Sequence, residues 1–181
     1  DSKLGTEAEF KNMVQQCSAA GVGIIADVVL NQTTGADVAA GDQKGVAGSE
    51  YNGSTGSYPG FATKQYPDGI TAADFHSCDK NISDYTNQKE VQECRLSSMW
   101  DFNSESEKVQ DIQSDYLASL WNAGVRGFRM DAVKHIHTDS MKAIKEKFAK
   151  KIGKNANDIY WIQEVIGNAS EAAGIQPSNY V

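Results

Sequence analysis

Gly127-Phe128-Arg129-Met130-Asp131-Ala132-Val133-Lys134-His135 runs as a strand that ends abruptly in charge. From Val125 to Met130 the chain is mostly apolar, with Arg129 interrupting it. Buried parallel strands are near-continuous apolar runs, and an arginine inside one is costly unless paired. Asp131, two residues on, lies on the same side of an extended chain and is the natural partner. A guanidinium, a carboxylate, an ammonium and an imidazole thus fall between Arg129 and His135. This pattern suits either a functional site or an ion pair closing the end of a sheet.

The segments on either side repeat one theme. Thr6-Glu7-Ala8-Glu9 forms a capping box, and Phe10, Met13, Val14, Cys17 and Ala20 follow at helical spacing. Gly21 is a C-cap, and Gly23 to Leu30 reads as a buried strand carrying Asp27 and ending in Asn31-Gln32. Ser104-Glu105-Ser106-Glu107 predicts a second capping box, and Val109, Ile112, Tyr116, Leu117, Leu120 and Trp121 predict the apolar face of its helix. Ala123-Gly124-Val125 then matches Ala20-Gly21-Val22 and leads into the strand ending at Asp131. A third unit pairs a helix over Ser140 to Lys151 with a strand, Ile159-Tyr160-Trp161-Ile162, that ends in Gln163-Glu164. Helices alternating with strands imply an α/β fold with a parallel sheet. Ligand sites in such sheets lie at the carboxyl ends of the strands, where Asp27, Asn31, Asp131, His135 and Glu164 fall.

Between the first strand and the second helix the pattern is different. Eight glycines lie between Gly35 and Gly69, with Tyr51, Tyr58, Phe61, Tyr66 and Phe75 interspersed. An unstructured loop of this length is improbable in a compact domain, so residues 32–103 read as an inserted subdomain of short strands overhanging the strand ends. Of the three cysteines, Cys78 and Cys94 flank a polar loop. A bridge between them would contribute about 3 kcal/mol on the chain-entropy model. Cys17 is either a buried thiol or lacks a partner from outside the chain. No CxxC is present, and His135-Ile136-His137 suggests a transition metal only as a single pair with no third ligand, so it reads as surface histidine.

The formal net charge is −7, and hydrophobic and charged residues make up 40% and 23% of the 181. That balance excludes a nucleic-acid or anionic-membrane surface, and no apolar run approaches the ~20 residues of a membrane span. The basic run Lys142 to Lys154 reads as a solvated helix face. The N-terminus shows no secretory leader, which is compatible with a removed leader or with a start inside a longer chain. The sequons at Asn31, Asn52, Asn81 and Asn168 are compatible with secretion.

Asp131 and Glu164, at the ends of neighbouring strands, suit glycoside hydrolysis. A retaining mechanism needs its carboxylates about 5–5.5 Å apart, a separation adjacent strands supply. Arg129 would keep Asp131 ionised, and burial beside Trp161 and Ile162 would raise the Glu164 pKa as an acid requires. The structural alternative for Glu164 is a salt bridge to Lys134 or Arg129. Asn31, Asp101 and backbone carbonyls could form a hard-cation site.

These residues resemble the alpha-amylase family of glycoside hydrolases. Asp27-Val28-Val29-Leu30-Asn31, Gly127 to His135, and Gln163-Glu164-Val165-Ile166 are similar to three of its short regions, in order. Leu4-Gly5-Thr6-Glu7-Ala8-Glu9-Phe10 is similar to the lead into its second barrel helix, and Glu93-Cys94-Arg95-Leu96 with Asp101 resembles the calcium segment of the animal and actinobacterial branch. The resemblance implies part of a (β/α)8 barrel, about strands 3 to 5. Residues 1–31 and 104–181 would be barrel and 32–103 a calcium-binding insertion. It implies Asp131 as nucleophile, Glu164 as acid/base and Arg129 holding the nucleophile, with chloride bound there in chloride-dependent members. Asp27, Gln32, Tyr85, Lys134 and His135 would line the sugar subsites. Calcium would be bound by the Asn31 and Asp101 side chains and the Gln92 and His135 carbonyls.

Gln32 stands where the family has histidine. Glutamine can donate a hydrogen bond but cannot be cationic, which bears on transition-state stabilisation and specificity. Only three barrel strands are supplied, so the expectation is an internal segment of a longer secreted enzyme, inactive alone and completed by the rest of its barrel. The expected activity is endo-hydrolysis of alpha-1,4 bonds in starch, glycogen and maltooligosaccharides. The rivals are a non-catalytic carbohydrate-binding relative, an alpha-glucosidase or a transglycosylase.

Overall fold

The structure, a computed structural model, describes residues 2–48, 50–54 and 70–180. The expected glycines at 56, 60 and 69, and Tyr58, Phe61 and Tyr66, lie outside the described residues.

Helix α1 (Glu7–Ala19) leads to β1 (Ile25–Val28), α4 (Glu107–Asn122) to β6 (Gly127–Met130), and α5 (Thr138–Lys151) to β7 (Tyr160–Gln163). Between β1 and α4 come β2 (Gln32–Gly35), α2 (Ala36–Ala39), β3 (Asp42–Lys44), β4 (Glu50–Asn52), α3 (Gln88–Glu93) and β5 (Met99–Asp101). Strands β1, β6 and β7 form a parallel sheet in the order β1-β6-β7. Its register sets Asp27 beside Arg129 and Arg129 beside Ile162. The inserted region carries antiparallel pairings, β2 with β5 and β3 with β4.

The repeat read in the sequence is visible in hydrogen bonds. Each long helix ends in a turn whose amide reaches back five residues: Val22 to Cys17 at 2.8 Å, Val125 to Leu120 at 3.1 Å, and Lys154 to Ala149 at 2.9 Å. This is the Schellman closure, which needs a residue at positive φ just past the helix. Gly21, Gly124 and Gly153 supply it, at φ 77°, 107° and 67°. Thr6 and Glu9 form the full capping box. The second predicted capping box does not form. The N-cap is Ser106, which makes no side-chain cap bond, and the expected cap, Ser104, is buried and accepts from Gln113 instead.

Side chains alternate across the parallel sheet. Phe128, Met130, Val28 and Trp161 meet α4 and α5 on one face, where Leu117, Ile144 and Phe148 complete the core. Phe128 stacks on Trp161 at 5.4 Å and meets Phe148 edge-on at 5.3 Å. Helices α4 and α5 are also tied by ion pairs, Lys147 to Asp111 at 2.7 Å and Lys151 to Asp115, so the basic run is not simply a solvated face. The opposite sheet face is open: Ile25, Tyr160 and Ile162 are 48%, 60% and 40% exposed. The predicted strand Gly23 to Leu30 is therefore shorter than expected and buried on one side only, since an outer strand has a core on a single face. Likewise Val14 is buried on α1, but Met13 is exposed and Cys17 is a half-buried free thiol. Cys78 and Cys94 are bonded.

Candidate active site and cation site

Strands β6 and β7 end side by side. Asp131 is held by its amide to the Val28 carbonyl at 2.9 Å, and Glu164 by its amide to the Met130 carbonyl at 2.9 Å. Beyond Asp131 the chain turns through Ala132, a non-glycine residue in the left-handed region at φ 48°. Such a conformation is disfavoured by about 1–2 kcal/mol for an L-residue. Here it points the Ala132 amide at Glu164 Oε2, 3.0 Å away.

Arg129 gathers three carboxylates. Its Nη1 donates to Asp27 Oδ1 at 2.9 Å and to Asp131 Oδ1 at 2.5 Å, and its Nη2 pairs with Glu164 Oε1 at 2.7 Å. The hydrogen bonds it donates to Asp27 and then to Asp131 push the guanidinium pKa up, so its charge is permanent. The expected Arg129–Asp131 pairing is present. The expected burial of Glu164 is not: its side chain is 29% exposed and spans Arg129 and the Ala132 amide. It therefore makes the arginine salt bridge foreseen as the structural alternative, while Lys134 pairs elsewhere.

Tyr85, Asp131, Lys134, His135, Glu164 and Glu171 line one cavity of about 370 Å³. Lys134, nearly buried, donates to the Ile166 carbonyl at 2.7 Å and to Glu171 at 3.0 Å, with Nζ 4.5 Å from the Tyr85 ring centroid. Glu171 was missed from sequence, because nothing near it in the chain signals its partner. His135 is buried and not the surface histidine expected. Its Nδ1 donates to the Val91 carbonyl at 2.9 Å, and burial lowers its pKa. A larger cavity, about 560 Å³, lies along β7 and contains neither Asp131 nor Glu164.

The second cluster is buried. Asn31 Nδ2 donates to Asp101 Oδ1 at 2.5 Å and to the His135 carbonyl at 3.0 Å. Asn31, Asp101 and His135 are 1%, 3% and 4% exposed. Asp101 Oδ2 meets His76 Nδ1 at 2.6 Å, His76 Nε2 meets Glu105 Oε2 at 3.0 Å, and Glu105 Oε1 meets His137 Nε2 at 2.7 Å. Burial alone would lower the His76 pKa, but the hydrogen bonds to Asp101 and Glu105 outweigh it and push it up to about 9. Burial raises Asp101 to about 6 against the pull of His76. The two are thus oppositely charged at neutral pH. Burial also acts against Glu105, yet the hydrogen bonds from His137 and His76 hold it well below the usual carboxylate range.

The donor chemistry fits a hard cation. An amide side chain, a carboxylate and a main-chain carbonyl converge away from water, and calcium takes such oxygens. The Asn31 amide nitrogen contacts the Asp101 carboxylate and the His135 carbonyl, and turning the carboxamide over would present its oxygen instead. Among the described residues no group of three or more His, Cys, Asp or Glu could hold a metal, so any ion there must draw on the amide and the carbonyl. Gln92 enters this region by its side chain, which donates to the Tyr180 hydroxyl at 3.0 Å and the Ile136 carbonyl at 3.4 Å. Gln32 is 8% exposed, and its Nε2 has no hydrogen-bond partner among the described residues.

Three carboxylates thus gather on one arginine at the carboxyl ends of a parallel sheet. The family profile "Alpha amylase, catalytic domain" matches residues 1–173, and the chain belongs to that family. It is 42% identical over 149 residues to an alpha-amylase of Dermatophagoides pteronyssinus, covering 79% of this chain and 28% of the relative. It is 36% identical over 179 residues to an alpha-amylase of Thermomonospora curvata, covering 96% of this chain and 27% of the relative. The crystal structure of alpha-amylase I from Eisenia fetida superposes with a TM-score of 0.83 at 32% identity, over 99% of this chain and 36% of that one. The chain thus spans 27% to 36% of the length of these relatives. No described helix is long and apolar enough to cross a membrane.

Proposed function

We propose that the protein hydrolyses internal alpha-1,4-glucosidic bonds of starch, glycogen and maltooligosaccharides with retention of configuration. The observation that carries this reading is the convergence of Asp27, Asp131 and Glu164 on Arg129 in a member of the alpha-amylase family. A mutant of the Eisenia fetida enzyme was solved in complex with maltohexaose, which supports an oligosaccharide of this class as the ligand.

Asp131 attacks the anomeric carbon as the glycosidic bond breaks, and Glu164 gives its proton to the departing oxygen. Glu164 then takes a proton from water, whose oxygen displaces Asp131 from the sugar. Arg129 orients the nucleophile through the short Nη1 contact. For Glu164 to reach the leaving oxygen, its Oε1 must exchange Arg129 Nη2 for the substrate. Asp27, Gln32, Tyr85, Lys134 and His135 line the sugar subsites. Chloride beside Arg129 belongs to the same reading as a possible further ligand of that position in chloride-dependent members.

Calcium would be held by Asn31, Asp101 and the His135 carbonyl, with the Gln92 carbonyl as a fourth ligand. It would supply a fixed charge tying the insertion to the sheet. In this reading 1–31 and 104–181 are barrel segments around strands 3 to 5, 32–103 is the calcium-binding insertion, and the enzyme acts outside the cell. The open sheet face carrying Ile25, Tyr160 and Ile162 supports a barrel interior closed by further strands. The test is Asp131→Asn and Glu164→Gln in the full-length protein, assayed by reducing-sugar release from starch. Each is expected to lose at least about 10³-fold in turnover; wild-type turnover in either rejects the assignment.

A further inference from the structure

We propose that His76 is a positioning residue for the calcium site, an inference that rests on the calcium reading above. His76 follows the short 3₁₀ turn Ala72–Asp74 and grips Asp101 twice. Its amide donates to the Asp101 carbonyl at 2.9 Å, and its Nδ1 lies 2.6 Å from Asp101 Oδ2. With Oδ2 occupied, Oδ1 is the oxygen turned toward Asn31, whose amide also reaches the His135 carbonyl. The imidazole is itself fixed from behind, because Nε2 meets Glu105 Oε2 at 3.0 Å, and Glu105 Oε1 meets His137 at the start of α5. Both ring nitrogens face carboxylate oxygens, so both act as donors.

The consequence is geometric. A buried carboxylate with one free oxygen can rotate about its last side-chain bond. Held at Oδ2 it cannot rotate without losing that contact, and Oδ1 stays aimed at the ion. Groups that hydrogen-bond a metal's ligands orient them, and removing such groups typically weakens metal affinity about 10–100-fold. The insertion, which contributes His76 and Asp101, is thereby joined through Glu105 to the start of α5, and the ion's third donor, His135, lies two residues before His137.

The experiment titrates calcium calorimetrically into the chelator-stripped full-length protein, with melting temperatures taken in chelator and in calcium. His76→Ala is expected to weaken calcium binding by about tenfold or more. It should lower the melting temperature in calcium more than in chelator. His76→Asn, which places an amide N–H where Nδ1 donates, should recover most of the affinity. Wild-type affinity in His76→Ala, or no recovery in His76→Asn, overturns the proposal. Glu105→Ala, which frees only the far side of the ring, is expected to weaken binding by a smaller factor. If His76→Ala does not fold, unchanged binding in Glu105→Ala overturns it. Failure of the wild type to bind calcium would instead reject the calcium reading itself, which keeps the two failures distinct.

Discussion

Two charged clusters lie near the strand ends, and they are built in opposite ways. Around Arg129 the partners are half-exposed: the side chains of Arg129, Asp131 and Glu164 are 29%, 31% and 29% accessible and that of Asp27 is 65%. Around Asp101 the centre is buried, with side-chain accessibilities of 2% for Asp101 and 12% for His76, and only the outer pair, Glu105 and His137, is as open as the Arg129 group, at 38% and 32%. Solvent-exposed ion pairs add little to stability, whereas breaking a buried pair leaves an uncompensated charge. The first cluster is thus arranged for contact with a ligand and the second for holding segments together.

Substitutions in the two clusters should therefore separate activity from stability. After the two carboxylate substitutions, the largest effect on turnover is expected from Arg129→Lys. Lysine keeps the charge but not the planar fork that reaches Asp131 through Nη1 and Glu164 through Nη2. Turnover should fall by about 10²-fold or more, with little change in melting temperature; a large loss of stability would show that the Arg129 cluster is structural. Asp101→Ala should do the reverse. Its removal takes the buried partner from His76 Nδ1 and leaves Glu105 as the remaining carboxylate on the ring, and urea unfolding in chelator is expected to show a loss of about 3 kcal/mol. A loss no larger than that of an exposed pair would erase the contrast between the clusters.

The smallest effect comes from Glu90, which fastens the Lys80 to Asp84 segment. Its Oε2 meets Lys80 at 2.8 Å, and its Oε1 accepts from the Ser83 amide at 2.7 Å. The Lys80 contact, followed by the Ser83 hydrogen bonds, lowers its pKa from 4.5 to about 2. A carboxylate depressed by folding stabilises fully above its unfolded pKa and loses that contribution as pH falls through the folded one. Glu90→Gln should therefore lower the melting temperature at pH 6, by less than Asp101→Ala does. The difference from wild type should shrink below the ordinary pKa of 4.5 and vanish near the folded value of about 2. A difference that persists at low pH would mean that the side chain acts by shape and not by charge.

What could be read along the chain follows the same division. Arg129 and Asp131 are two residues apart on a strand, so their pairing follows from the two-residue period of extended backbone. The three helix–glycine–strand units also declare themselves locally, because capping, helical spacing and positive-φ glycines act over a few neighbours. Asn31 and Asp101 were read as hard-cation donors from their chemistry and the His135 carbonyl through resemblance, and their meeting spans sequence separations of 70 and 104 residues. His76 and Glu105 carried no signal at all. Ser104 and Glu107 even imitated a capping box, until burial and Gln113 claimed Ser104.

By itself, then, the sequence determined the units, their order, the acids at their ends and the family to which they belong, because those are matters of local period and short motifs. The tertiary structure alone decided that Glu164 leans on Arg129, that Lys134 turns to Glu171, and that His76 stands behind Asp101. Those choices are set by which charges burial forces together, and burial is a property of packed elements distant in the chain.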